Sequence, residues 1–188
     1  MKLSKQVAAP EFSTQYPEKI LQFGTGVLLR ALCDFHIQKG NEQDVFNGSI
    51  VVVKSTPGSV SDFEEQDNLY TVCVRGVDRG ITVKENKVIA AISRVVSARE
   101  DWKSILATAE SDDMEIVISN TTEVGLSYQE EKINTEVAPE SFIAKLTTWL
   151  YVRFKASKKG VVIIPTELLV DNGKILKKGV LDTVEFNQ

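Results

Sequence analysis

Two glycines one residue apart, Gly24 and Gly26, separate an apolar run from a helix-patterned stretch in residues 19–30, KILQFGTGVLLR. That order suits one kind of chemistry. A buried strand that turns sharply into a helix presents unpaired backbone N–H groups and the positive end of the helix dipole to a phosphate. Gly24 permits the tight turn, and Gly26 lets the backbone approach a diphosphate with no side chain in the way. Thr25, Val27 and Leu28 complete the turn and are expected to share the contact. The third glycine that usually lets such a helix pack close to its sheet is Leu29 here. On spacing alone, a turn that binds nothing is therefore an equal reading.

Two further groups bear on the same chemistry. Asn120, Thr121 and Thr122 follow the apolar run 114–119, at the carboxyl end of an expected strand, where open α/β sheets place their ligands. Their amide and hydroxyls suit a ribose or a nicotinamide, and equally suit the capping of a turn. At the end of the second expected strand, the acidic residue that normally binds the adenosine ribose is missing, and Lys54, Ser55 and Thr56 stand there. Lys54 either meets the 2'-phosphate of NADP or is simply solvated. The single histidine, His36, lies on the first expected helix and reads as a packing or surface residue rather than a general acid. Cys33 and Cys73 have no metal-ligand spacing and read as free thiols, so no metal is expected.

The elements that must position these groups follow from periodicity. Ile20, Leu21 and Phe23 form a strand, and Val27, Leu28, Ala31, Leu32, Phe35 and His36 recur at helical spacing until Gly40, expected to stop the helix. The continuous β-branched run 49–53 predicts a second parallel strand covered on both faces. Segments 69–76, 81–83 and 88–96, joined through a turn at 77–80, predict an antiparallel insertion over about 58–97. Residues 97–100 resemble a capping box ahead of a helix holding Trp102, Ile105, Leu106 and Ala109. After the strand at 114–119, Pro139 and Glu140 open a long helix, residues 160–165 form another strand, and Asn172-Gly173 starts a helix still running at Gln188. The expected fold is α/β: a Rossmann-type, doubly wound, mainly parallel sheet carrying an antiparallel insertion. It spans 19–188 behind an amino-terminal arm over 1–18, and is read as a fragment of a longer protein.

Composition narrows the function classes. A hydrophobic share of 43% with 26% charged residues is that of a soluble globular chain. The net charge of −4 argues against a surface that neutralises a nucleic-acid backbone. The amino terminus has no apolar secretory segment, and no run approaches the ~20 residues needed to span a bilayer. With two unpaired cysteines, this leads to the expectation of a reducing, cytoplasmic compartment, with neither nucleic acid nor membrane as partner.

Residues 22–31 (QFGTGVLLRA), 119–125 (SNTTEVG) and 165–173 (PTELLVDNG) resemble the amino-terminal half of the polyol-specific long-chain dehydrogenases, the mannitol dehydrogenase family. That family also lacks the third glycine and carries an arginine at the place of Arg30. The resemblance is strongest to its hexuronate reductases. It implies an NAD-dependent enzyme acting on a small sugar acid and interconverting D-tagaturonate and D-altronate by hydride transfer. It also implies a second, mostly helical domain bearing a catalytic lysine with asparagine and histidine partners, to which nothing in this chain corresponds. In the mannitol dehydrogenases an Asp-Asn pair stands where this chain has Glu167-Leu168, so that asparagine contact does not carry over. Three alternatives remain at this level: a nucleotide-sensing module without catalysis, a fructuronate or mannitol/fructose activity, and a methyltransferase-like domain, against which Arg30 and the missing acidic residue speak.

Overall fold

The computed structural model of the chain describes residues 3–4 and 15–188, so most of the arm expected over 1–18 lies outside the described residues. Strand β1 (Glu18–Phe23) is central, and Ile20, Leu21, Gln22 and Phe23 are all buried. A helical segment leads from the glycine turn through a π-helical turn (Leu29–Cys33) into α1 (Asp34–Glu42), and the chain returns as β2 (Ser49–Lys54), parallel to β1. The short α2 (Ser61–Glu64) precedes a hairpin of β3 (Tyr70–Asp78) and β4 (Ile81–Ile89). Then follow β5 (Ile92–Ser97), α3 (Trp102–Ala107), β6 (Ile116–Ser119), α4 (Phe142–Lys155), β7 (Val162–Pro165) and α5 (Asn172–Phe186).

The main sheet has the order β5-β2-β1-β6-β7, with every pairing parallel. From β1 the chain moves outward to β2 and β5, then crosses to β6 and β7 on the other side. The crevice beyond the carboxyl ends of β1 and β6 is therefore a topological switch point. Alternation along the strands feeds two cores. Leu21, Phe23, Val51, Val53 and Val117 pack with Trp102, Ile105, Phe142, Leu146 and Trp149 under α3, α4 and α5. On the opposite face, Ile20, Ile50, Val52 and Ile118 pack with Leu29, Phe35 and Ile89.

Several boundaries differ from the sequence expectation, each for a local reason. Gly40 does not stop the first helix, because its carbonyl accepts from the Val45 amide and the chain breaks only at Asp44, in the left-handed region at φ 56°. The π-helical turn shifts the helical register, so Leu29 is buried while Val27, Leu28 and Leu32 face outward. The antiparallel insertion is narrower than 58–97: β3 and β4 pair with each other alone, whereas Ile92–Ser97 is a parallel strand on β2. Ser97 ends that strand, and Asp101 caps α3 by accepting from the Ser104 amide. Likewise Ser141, not Pro139, caps α4, through Oγ accepting from the Ala144 amide at 3.1 Å. The last helix closes at Phe186, where the Asn187 side chain donates to the Thr183 carbonyl.

Candidate functional site

Gly24 sits where three strand ends meet. Its amide donates to the Val53 carbonyl of β2 at 3.2 Å, and its φ of 125° lies in the region that favours glycine. A Cβ there would stand 3.0 Å from the backbone oxygen of Asn120, at the end of β6. Gly26 is the opposite case: a Cβ would meet no atom within 4 Å, so its space opens onto solvent. The Arg30 amide donates to the Gly26 carbonyl at 3.3 Å, so helical turns begin immediately, and first-turn amides have no acceptor within the helix.

The glycine turn is one wall of a cleft of about 430 Å³. Ser55 and Thr56 from the β2 end, Asn120, Thr121 and Thr122 from the β6 end, and Glu140, Phe142 and Lys145 from the start of α4 complete it. Phe23 and Phe142 meet edge to face, 5.1 Å between ring centres, to form an aromatic floor. The β6 loop is already fixed. The Asn120 side-chain amide donates to the Thr166 carbonyl at 2.9 Å, and the Thr121 amide donates to a Glu167 carboxylate oxygen at 3.0 Å. Thr122 Oγ1 accepts from the Gly125 amide at 3.3 Å and so caps a one-turn 3₁₀ segment while still lining the cleft.

Of the residues expected at the site, the structure brings Gly24, Thr25, Gly26, Asn120, Thr121 and Thr122 together around this cleft. It leaves three side chains out. Val27 and Leu28 point outward, because the helix buries Leu29 instead. Lys54 folds back on its own loop, where Nζ donates to the Thr56 carbonyl at 2.8 Å, Thr56 Oγ1 at 3.0 Å and the Pro57 carbonyl at 2.8 Å. His36 is exposed on α1 with Nδ1 2.7 Å from the Leu32 carbonyl, and it does not line the cleft.

The sequence reading missed the contribution of α4. Lys145 is only 4% exposed, and its Nζ donates to the Glu140 carbonyl at 2.6 Å. Burial holds its ammonium below the usual lysine range, against the opposing pull of the Glu140 and Glu131 carboxylates. A signal was present: Lys145 lies three residues after Phe142 and four before Trp149, on the stripe that helical spacing directs inward.

A parallel sheet in this order, with helices on both faces and a glycine turn at its switch point, is a Rossmann-type domain. The chain belongs to the mannitol dehydrogenase family: residues 18–188 match the mannitol dehydrogenase Rossmann domain. The altronate oxidoreductase of Halalkalibacterium halodurans is 45% identical over 172 residues, which are 88% of this chain and 34% of that protein. That of Bacillus subtilis is 40% identical over 96% of this chain and 38% of its own length. The chain thus spans little more than a third of these relatives. Among solved structures, the mannitol 2-dehydrogenase of Pseudomonas fluorescens, in ternary complex with NAD and D-mannitol, superimposes with a TM-score of 0.82. It is 21% identical and covers all of this chain and 43% of its own. A substrate-free D-sorbitol dehydrogenase superimposes at 0.78 with 20% identity, over 98% of this chain and 43% of its own. At such identities these two superpositions speak to the fold alone.

Proposed function

We propose that the cleft binds NAD and that the chain is the cofactor-binding domain of a hexuronate reductase interconverting D-tagaturonate and D-altronate. The observation that carries the cofactor reading is the glycine turn at the switch point, with Gly26 opening onto a cleft that no neighbouring atom fills. The substrate reading is supported by the altronate oxidoreductases at 37% to 45% identity, and NAD by the mannitol dehydrogenase Rossmann domain that residues 18–188 match, the fold on which the mannitol 2-dehydrogenase complex carries its NAD. When bound, the nicotinamide supplies the position that gives and takes the hydride. The protein's part is to hold it. Amides of the 24–28 turn face the diphosphate, Ser55 and Thr56 lie where the adenosine ribose falls, and Asn120 to Thr122 border the nicotinamide half. The groups that bind the sugar acid and move its proton are assigned to chain beyond these residues.

Gly26→Val tests this reading. Because a Cβ at Gly26 meets nothing in the protein, the fold should survive, and the branched side chain should intrude only on a ligand. NADH binding by calorimetry is expected to weaken at least tenfold, ~1.4 kcal/mol or more. An unchanged affinity in a folded variant removes the diphosphate from this turn.

A further inference from the structure

Lys145 presents a contradiction that the free domain does not resolve. It stands on the inward stripe of α4 beside Phe142, Leu146 and Trp149, and is almost wholly buried. Among the described residues, no carboxylate lies within ion-pairing distance of its ammonium, whose hydrogen bond is to the Glu140 carbonyl. A leucine or methionine would satisfy the same stripe without the cost of burying a charge.

Lys145 lines the cleft, where a bound anion would meet its ammonium. Of the residues that line it, Lys145 alone carries a positive charge. The other basic side chains near the turn do not line this cleft. Lys54 is closed on its own loop, and the Arg30 guanidinium stands over the Phe63 and Tyr70 rings, lining a smaller cleft that adjoins this one at Thr25. Glu140, the acidic lining residue, carries a largely exposed carboxylate that pairs with Arg99 at 3.3 Å. Backbone amides and a helix terminus offer partial charges to a diphosphate, but not a full one.

We propose that Lys145 is the cation that binds the diphosphate of the dinucleotide, opposite the Gly24–Gly26 turn. This rests on the cofactor reading above and extends it to a residue of α4. One ammonium N–H serves Glu140, which leaves two for the ligand. The ligand's charge then offsets a burial that the more distant Glu140 and Glu131 carboxylates compensate only in part.

The test is calorimetric titration of wild type, Lys145→Met and Lys145→Gln with NADH, ADP and adenosine, together with melting curves of the free proteins. Methionine keeps the apolar stem, and glutamine also keeps one donor for the Glu140 carbonyl. NADH and ADP affinities should fall at least tenfold in both variants, adenosine affinity should stay within twofold, and the melting temperature of ligand-free Lys145→Met should hold or rise. The salt dependence of ADP binding should flatten in both. ADP affinity unchanged in either folded variant, or ADP and adenosine weakened alike, overturns the assignment. If wild type binds NADH but the variants match it, only the role of Lys145 falls; if wild type binds neither NADH nor ADP, the cofactor reading falls with it.

Discussion

The Thr121 amide at the end of β6 donates to a carboxylate oxygen of Glu167, 3.0 Å away in the loop after β7, and Glu167 is buried. Two neighbouring bonds run in parallel: Asn120 Nδ2 to the Thr166 carbonyl, and Thr166 Oγ1 to the Ser119 carbonyl at 2.8 Å. The loop that borders the cleft is thus held from behind by the loop after the edge strand. The first of these bonds depends on the Glu167 side chain, which the cleft itself does not use.

Replacing that side chain should therefore loosen the cleft without touching it. Glu167→Ala leaves the Thr121 amide without its acceptor and opens a void, which costs ~2 kcal/mol. In a chain of this length that corresponds to a fall of ~4–8 °C in melting temperature. Hydrogen exchange at Thr121 should accelerate in step. A melting temperature within a degree of wild type shows that the loop is held by its other bonds.

A second buried carboxylate gives a pH signature. Asp34, fully buried on α1, has its carboxyl pushed from the usual 3.8 up to about 6 by burial, only partly opposed by the hydrogen bond from Tyr70, the nearby Gln22 amide and the Arg30 charge. A folded-state value above the unfolded one favours the protonated native state. The stabilisation is complete below about pH 4 and is lost as pH rises through about 6. The full span is ~3 kcal/mol at most. Asp34→Asn removes the titration while keeping an acceptor for the Tyr70 hydroxyl, which lies 3.0 Å from Asp34 Oδ2. Urea midpoints of wild type should fall relative to this variant between pH 4 and pH 7. Parallel curves for the two proteins would mean that Asp34 titrates with its ordinary value.

What the sequence made legible was set by the range of the signals. Continuous β-branched runs such as 49–53 mark strands buried on both faces wherever they occur, and the Gly24–Gly26 pair marks a strand-to-helix turn, so the sheet and the site's first wall could be read directly. Features that depend on tertiary pairing could not. Ile92 and Val95 carry the same alternating pattern in an antiparallel insertion as on a parallel edge, and only their register on β2 decides. The π-helical turn inserts a residue into the helical period, so the stripe read through Val27, Leu28 and Leu32 turned outward and Leu29 inward. Lys145 is not legible in the sequence as a site residue, because a charged residue inside a helix is ordinarily solvated and burial is the property that sets it apart.

The chain by itself should bind NADH yet not oxidise it with tagaturonate. The lining of the cleft contains no histidine, and the one histidine of the sequence is exposed on α1. Of the ionisable residues that line the cleft, Glu140 pairs with Arg99 and the Lys145 ammonium is assigned to the diphosphate, which leaves neither to protonate a sugar carbonyl. Absorbance at the NADH band, followed with saturating tagaturonate, should match the enzyme-free control. Turnover above that control would place the acid within these residues.

The strand-end lysine bears on the choice between NAD and NADP. A free ammonium at the end of β2 would form a charge-assisted bond with a 2'-phosphate worth ~1.5–3 kcal/mol, enough to favour NADPH by an order of magnitude or more. Lys54 is not free in this sense. Its three N–H groups already meet the Thr56 carbonyl, Thr56 Oγ1 and the Pro57 carbonyl, each within 3.0 Å, and breaking them would offset much of the gain. Pulled into its own loop, the side chain instead braces Ser55 and Thr56 against the cleft they line. NADH should therefore bind at least as tightly as NADPH in fluorescence titrations at one ionic strength. Lys54→Ala should weaken both cofactors by a similar factor, through the loosened loop. A tenfold preference for NADPH that vanishes in Lys54→Ala would show that the ammonium leaves its loop for the phosphate, and the cofactor would then be NADP.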